Sequence, residues 1–295
     1  MANVTEINKN IKSGSNATMI NRSVNPSNSN VTVINRSAMG THISAGTVLC
    51  DKYVVKEKMQ VKSGEADLYI CEYGNKKYVA KVYRREMSIK PDVIAKLKNI
   101  SSPYVAPICD MGEWNGTNVE VMPYYPIGSL QGKKLELDQL KNVIIPCLND
   151  GLKSMHDNGI IHKDLKPSNI MITEGGKSIA IIDFGISSAV ESGSTVIVTR
   201  TGMTPQYSAP ETFRDLFLSE SDYYSMGITI YELYCGKTPY DNMSQDEIEK
   251  YVSVQRIPFP ANMPQELKEL IIALTYYDIT NRKNKENPNR RWGYE

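Results

Sequence analysis

The chain has 295 residues, 41% hydrophobic and 23% charged, with a formal net charge of +1. That length suffices for one large domain or two small ones with a proper core, and a charge so near neutrality gives no bulk attraction to nucleic acid or anionic lipid. The five cysteines are widely spaced with no CxxC pair, which argues against a zinc or redox centre and fits a reducing, cytoplasmic setting.

The N-terminus, MANVTEINKNIKSG, lacks the apolar core of a signal peptide, and no stretch approaches the ~18 apolar residues that span a bilayer. Residues 1–46 are rich in Asn, Ser and Thr and nearly free of aromatics, so they should form no core of their own. Within them NVTEINKN (3–10), NATMINRS (16–23) and NVTVINRS (30–37) form a weak repeat, with Thr5, Thr18 and Thr32 at equivalent positions. Two readings stay open: a flexible polar tail, or a strand-forming docking or regulatory element.

From Lys52 to about Tyr83, the stretches YVVKEKM, ADLYICEY and KKYVAKVY are separated by turn-prone KSGE and YGNK, which predicts an antiparallel meander. Pro91 opens a short helix in PDVIAKLKNI, and strands follow near YVAPICDMGEW and TNVEVMPYY. From Gln139 the periodicity is helical, in DQLKNVIIPCLNDGLKSMHDNG, SDYYSMGITIYELYCG, SQDEIEKYVSV and PQELKELIIALTYY. A small β-rich half thus precedes a larger α-rich half, with a cleft expected between them.

Chemistry concentrates in IIHKDLKPSNIMI, residues 160–172, where a carboxylate, cations and an amide sit on a loop pinned by apolar runs. Phosphoryl transfer requires a hydroxyl aimed by a carboxylate, cations over the phosphates and oxygen ligands for magnesium. Asp164 can take the hydroxyl proton, Lys166 can reach the transferring group, and Asn169 can hold a metal.

The segment 162–170 resembles the catalytic loop of the eukaryotic-like, Hanks-type protein kinases, with Lys163 in place of the usual Arg. The family's other signatures follow in order: Asp183-Phe184-Gly185, then Ala209-Pro210-Glu211, then Asp222 and Gly227 in SDYYSMG, with Lys81 of YVAK ahead of them. The resemblance covers roughly residues 50–295, and the Asn- and Tyr-rich background points to a bacterial relative. It implies an α+β, bilobal kinase-like fold: an N-terminal extension over 1–46 and a kinase domain over 47–295, with a small lobe at about 47–122, a hinge at about 123–128 and a large lobe at about 129–295.

The same resemblance implies an ATP-dependent enzyme using Mg2+ or Mn2+. Lys81 would grip the α and β phosphates, Asp164 would be the base with Lys166 beside it, and Asp183 and Asn169 would hold metal. VEVMPYYPIGSL resembles the adenine hinge, with Met122 gating the pocket, Pro123 lending its C=O and Tyr125 its N–H and C=O. Leu68, Ala80 and Met171 would sandwich the adenine ring. Glu211 would be structural, paired with Arg290 or Arg291. Lys166 and Thr204 together resemble kinases that phosphorylate protein Ser/Thr rather than Tyr. Ser192, Ser194, Thr195, Thr199 and Thr201 are candidate autophosphorylation sites, reached in trans if the chain self-associates.

Two positions depart from the pattern. The glycine-rich loop keeps only Gly64, with Val61, Ser63 and Ala66 where GxGxxG is expected, which weakens the phosphate cradle. The helix that should offer Lys81 a glutamate places Val93 there, with Asp92 one residue away. Asp92 could substitute, another acid could, or Asp92 could serve only the helix dipole. The alternative to an active kinase is therefore a nucleotide-binding pseudokinase acting as a switch or scaffold. The family continues with a further helix after NPNRRWGYE, so the chain is expected to be the kinase part of a longer protein.

Overall fold

The computed structural model describes residues 43–61, 66–84, 90–184, 187–189, 196–197, 203–254 and 257–288. The N-terminal repeats, Gly64 and the candidate sites Ser192, Ser194, Thr195, Thr199 and Thr201 lie outside the described residues. A compact unit begins at Ser44.

Its first half is a sheet of order β1-β2-β3-β4-β6-β5, antiparallel throughout. The strands are β1 (Val48–Leu49), β2 (Tyr53–Lys58), β3 (Ala66–Tyr73), β4 (Lys76–Tyr83), β5 (Asp110–Trp114) and β6 (Thr117–Pro123). Two two-residue turns fix the register. Gly74-Asn75 and Asn115-Gly116 take positive φ at both positions, the conformation whose twist matches paired strands and which Gly and Asn tolerate. Tyr73 is thereby paired with Lys76, and Trp114 with Thr117. Between β4 and β5 lies α1 (Pro91–Leu97), opened by its proline and burying Val93 and Leu97.

The second half is mainly helical. A single helix is predicted over 138–159; the structure divides it into α2 (Leu137–Gln139), a π-helical turn (Leu140–Ile144) and α3 (Ile145–Asp157). Pro146 explains the break, because a proline inside a helix lacks the N–H and crowds the preceding turn. Short strands follow: β7 (Ile160–Ile161), β8 (Ile170–Ile172), β9 (Ile179–Ile181), β10 (Ser188–Ala189), β11 (Val196–Ile197) and β12 (Leu216–Phe217). They pair as β7 with β10, β8 with β9, and β11 with β12. The chain closes through α4 (Ser219–Cys235), α5 (Gln245–Val252) and α6 (Gln265–Thr275).

α4 is buried over most of its circumference, as expected of a helix at the centre of a helical lobe. It ends on Gly236 at φ 82°, a left-handed cap that glycine adopts without penalty. At Gly227 an added Cβ would lie 2.5 Å from Thr275 Cγ2 and 3.1 Å from Leu274 Cβ. The missing side chain is what lets α4 and α6 touch. Gly227→Ala is expected to destabilise the unit by about 1–3 kcal/mol through overpacking, read as a lower denaturant midpoint; an unchanged midpoint would show that the helices separate freely. Among the described residues no helix is long and apolar enough to cross a membrane.

Glu211 is paired differently from the expectation. It forms a two-bond pair with Arg282, Nη1 donating to Oε1 at 2.7 Å and Nη2 to Oε2 at 2.8 Å. Arg282 is fully buried and its Nε also donates to the Tyr276 carbonyl at 2.7 Å. Arg290 and Arg291 lie outside the described residues.

Candidate active site

The loop between β7 and β8 is held at both ends. At its start Asp222, fully buried on α4, accepts from the backbone N–H groups of His162 and Lys163, each at 2.8 Å. Lys163 takes φ 73°, a conformation that costs a non-glycine residue about 1–3 kcal/mol and persists only where surroundings impose it. The buried Asp222 carboxylate supplies that imposition. The His162 ring spans to the next segment, Nε2 lying 2.9 Å from the Ile182 carbonyl, and the Ser187 hydroxyl donates to the His162 carbonyl at 3.1 Å.

At the loop's end Ile170 pairs with Ile181, and Ile182 N–H donates to the Asn169 carbonyl at 2.9 Å. The β8–β9 hairpin therefore sets Asn169 opposite Ile182 and next to Asp183. Asp183 itself has φ 68°, a second strained non-glycine residue in the same place. Its Oδ1 lies 2.5 Å from Lys81 Nζ, so residues 102 positions apart meet across the two halves of the unit.

Asp164 is surrounded by donors. Thr204 Oγ1 donates to Oδ1 at 2.7 Å, Lys166 Nζ lies 2.6 Å from Oδ2, and Asn169 Nδ2 donates to Oδ2 at 3.1 Å and to the backbone carbonyl at 2.8 Å. Lys166 Nζ also donates to Thr204 Oγ1 at 2.6 Å. The carboxylate is thus fixed in direction, with a cation and a hydroxyl at its edge. Charge-assisted bonds of this kind are about twice as strong as neutral ones. Thr204 lies forty positions along the chain, and its bond joins the loop to the segment before Ala209-Pro210-Glu211.

Asn169, with its amide nitrogen turned to Asp164, and Asp183, the residue after its backbone partner Ile182, each carry an oxygen donor. Mg2+ takes one or two such protein ligands and completes its shell with phosphate and water oxygens, so this donor set fits it. Among the described residues no group of three or more His, Cys, Asp or Glu side chains is arranged to hold a metal ion by itself.

The residues expected around adenine lie on β3, β4, β6, β8 and the turn after β6. Met122, buried, faces Val79 across β4 and β6. Pro123 pairs with Tyr78, so it ends β6 as a strand residue. Tyr125 begins the turn beyond, its carbonyl accepting from Gly128 N–H at 3.1 Å. Burial pushes its phenol up to about 12. Met171 is half-buried and bridges to Ser129, while Ile172 N–H donates to the Gly128 carbonyl at 2.9 Å. These bonds lay β8 directly against the turn that follows β6. Leu68 pairs with Lys81 and shares its face. Val61 is 57% exposed.

Ala80 does not join this group. Side chains alternate along a strand, so Ala80 stands on the opposite face of β4 from Lys81, paired with Tyr69 and Val121 in the sheet's other layer. Val79 takes the position beside Lys81 on the cleft face. On α1, Asp92 is exposed in the first turn and Val93 is fully buried, so Asp92 serves the helix N-terminus and makes no substitute for the helix glutamate.

Lys163, at the position of the family's arginine, is 7% exposed, and among the described residues its Nζ has no hydrogen-bond partner. It sits over the Phe217 ring, 4.8 Å from the centroid. Burial, with repulsion from Lys90, pulls its amine down to about 8 against the attraction of Asp222.

Comparison with known proteins gives the same picture. A family model described as "Protein kinase domain" matches residues 62–288. The chain is 28% identical over 260 residues to a probable serine/threonine-protein kinase of Lactococcus lactis, covering 81% of this chain and 41% of that protein. It is 29% identical over 234 residues to one of Clostridium perfringens, covering 72% and 33%, and 30% identical over 244 residues to one of Clostridium acetobutylicum, covering 78% and 36%. The chain therefore spans between 33% and 41% of the length of these bacterial relatives.

Proposed function

Because this chain belongs to the protein kinase family, we propose that it transfers the γ-phosphoryl group of ATP to Ser and Thr hydroxyls of proteins, itself included. The observation that carries this reading is the closed set Asp164, Lys166, Thr204 and Asn169 around one carboxylate. Asp164 is oriented to accept a hydroxyl proton, and Lys166, 2.6 Å away, places positive charge where the phosphoryl oxygens would lie. Asp183 and Asn169 would hold Mg2+, or Mn2+ in its stead, and Lys81 would reach the phosphates from β4. Bound Mg-ATP supplies the phosphoryl group and the metal charge that neutralises it.

The base, the metal-ligand pair and both lysines support transfer over a scaffold role. We assign the enzyme to the cytoplasm and its targets to proteins, with self-association as the route for phosphorylation in trans. The bond from Thr204 to Asp164 supports Ser/Thr substrates, since it ties the peptide-side segment to the base. Thr204→Val is expected to lower peptide phosphorylation about tenfold or more, as loss of a hydrogen bond to a charged group does, with Mg-ATP affinity retained.

The testing experiment is transfer of labelled γ-phosphate from Mg-ATP to the protein and to a basic Ser/Thr peptide. Label on Ser and Thr is expected. Nucleotide binding without label in either acceptor would overturn transfer and leave a nucleotide-dependent switch.

A further inference from the structure

At the position where the resemblance expects a helix glutamate for Lys81 this chain has Val93, which is fully buried. We propose that Glu120 of β6 is the positioning residue for Lys81, a carboxylate supplied by the sheet in place of one from the helix; the proposal rests on the kinase reading above.

Lys81 and Glu120 are direct partners in the β4–β6 register. Side chains opposed in this way leave the sheet on the same face with Cβ atoms about 5 Å apart. Tyr83, two residues after Lys81, is on that face as well. All three are interior: Lys81 is 4% exposed, Glu120 2% and Tyr83 1%. The Tyr83 hydroxyl donates to Glu120 Oε2 at 2.7 Å, and Lys81 Nζ stands over the Tyr83 ring, 4.9 Å from its centroid. The tyrosine thus aims the carboxylate with its hydroxyl and seats the ammonium on its ring.

Energetics favour a paired role over filler. An ionised carboxylate taken out of water costs several kcal/mol unless an opposite charge compensates. Burial is the largest influence and, with the charge of Asp183, holds the Glu120 carboxyl above its ordinary value, while the charge of Lys81 and the Tyr83 bond oppose that rise. Asp183 is in direct contact with Lys81, but as the proposed metal ligand it is shared; Glu120 acts on Lys81 through its charge and through the Tyr83 side chain it bonds. The sequence carries no signature for this residue. In TNVEVMP, Glu120 alternates with Val119 and Val121 and so reads as a solvent-facing strand residue, because alternation cannot tell that both faces of β6 are covered.

The test compares the wild-type chain with Glu120→Gln and Glu120→Asp, measuring the melting temperature without nucleotide, Mg-ATP affinity by titration calorimetry, and KM for ATP apart from kcat. Glu120→Gln keeps the shape and can accept from Tyr83 but removes the charge. Its affinity is expected to weaken about tenfold and its KM to rise to match, the scale of one charge-assisted contact. Its melting temperature should stay near wild type, and Glu120→Asp should recover most of the affinity. A purely structural Glu120 would lower the melting temperature and leave affinity and KM per folded molecule unchanged; wild-type values of both in Glu120→Gln overturn the proposal. If Glu120→Gln does not fold, Tyr83→Phe removes only the aiming hydroxyl. A KM rise of about threefold is then expected, and an unchanged KM overturns it. A wild-type chain that binds no Mg-ATP would overturn the kinase reading and this role together.

Discussion

Asp164→Asn lowers phosphate transfer by about 10²–10⁴-fold, the contribution of a positioned general base, while Mg-ATP affinity stays near wild type. The separation follows from the geometry. The amide that replaces the carboxylate keeps one carbonyl oxygen, which can still accept from Thr204 as Oδ1 does at 2.7 Å. On the other side, Lys166 at 2.6 Å and Asn169 Nδ2 at 3.1 Å would meet an amide N–H₂ and turn away, so proton acceptance and the placement of Lys166 fail together. Lys81 and Asp183, paired at 2.5 Å, are untouched, which is why nucleotide affinity is the control. Asp183→Asn should lose transfer and Mg-ATP affinity alike. Transfer by Asp164→Asn at the wild-type rate would place the base elsewhere and sink the assignment.

The candidate loop was legible because its polar groups are close in sequence. Asp164, Lys166 and Asn169 lie within six residues, and a strand on each side leaves little freedom in how they face. The meander was legible for a similar reason, since Gly74-Asn75 in YGNK dictates a two-residue turn. What alternation alone leaves open is phase. Ala80 and Val79 are both small and apolar, but once Lys81 is taken to face the cleft the phase is fixed, and Val79, two residues before it, shares that face while Ala80 does not. Long-range partners were legible still less. Arg282 and the pair Arg290 and Arg291 are comparable in charge and near in sequence, and the choice of Arg282 by Glu211 depends on how the chain after α6 returns through Tyr276. Glu120 is the extreme case, since its environment is made by Tyr83 and Lys81 on another strand.

Beneath the loop, His156 is expected to make stability fall as pH rises from 6.5 to 8. Its ring lies between two carboxylates, Nε2 2.9 Å from Asp222 Oδ2 and Nδ1 2.5 Å from Glu286 Oε1. Burial alone would pull its pKa down, but the bonds and charges of Asp222 and Glu286 raise it to about 9. Burial pushes the Asp222 carboxyl up, and the bond and charge of His156 outweigh that and hold it below its ordinary value. A folded value of about 9 against an unfolded one of about 6.5 means the contribution is complete below pH 6.5 and is lost on the way to pH 9. The slope is at most about 1.4 kcal/mol per pH unit, so between pH 6.5 and 8 about 2 kcal/mol disappears, or about 4–8 °C in Tm for a unit of this size. Above pH 8 the trend flattens, because Lys163, lowered to about 8 by burial and Lys90, carries fewer protons folded than unfolded and so contributes the opposite slope. His156→Asn should be about 3–5 kcal/mol less stable at pH 6.5, since it strands a buried carboxylate, and should lack the slope to pH 8. The same slope in the variant would move its origin to another group. The link to function is direct: Asp222, once released from His156, is the acceptor that holds the His162 and Lys163 N–H groups. The strained turn that aims Asp164 therefore loosens with it, and transfer by His156→Asn should fall even at temperatures where the unit remains folded.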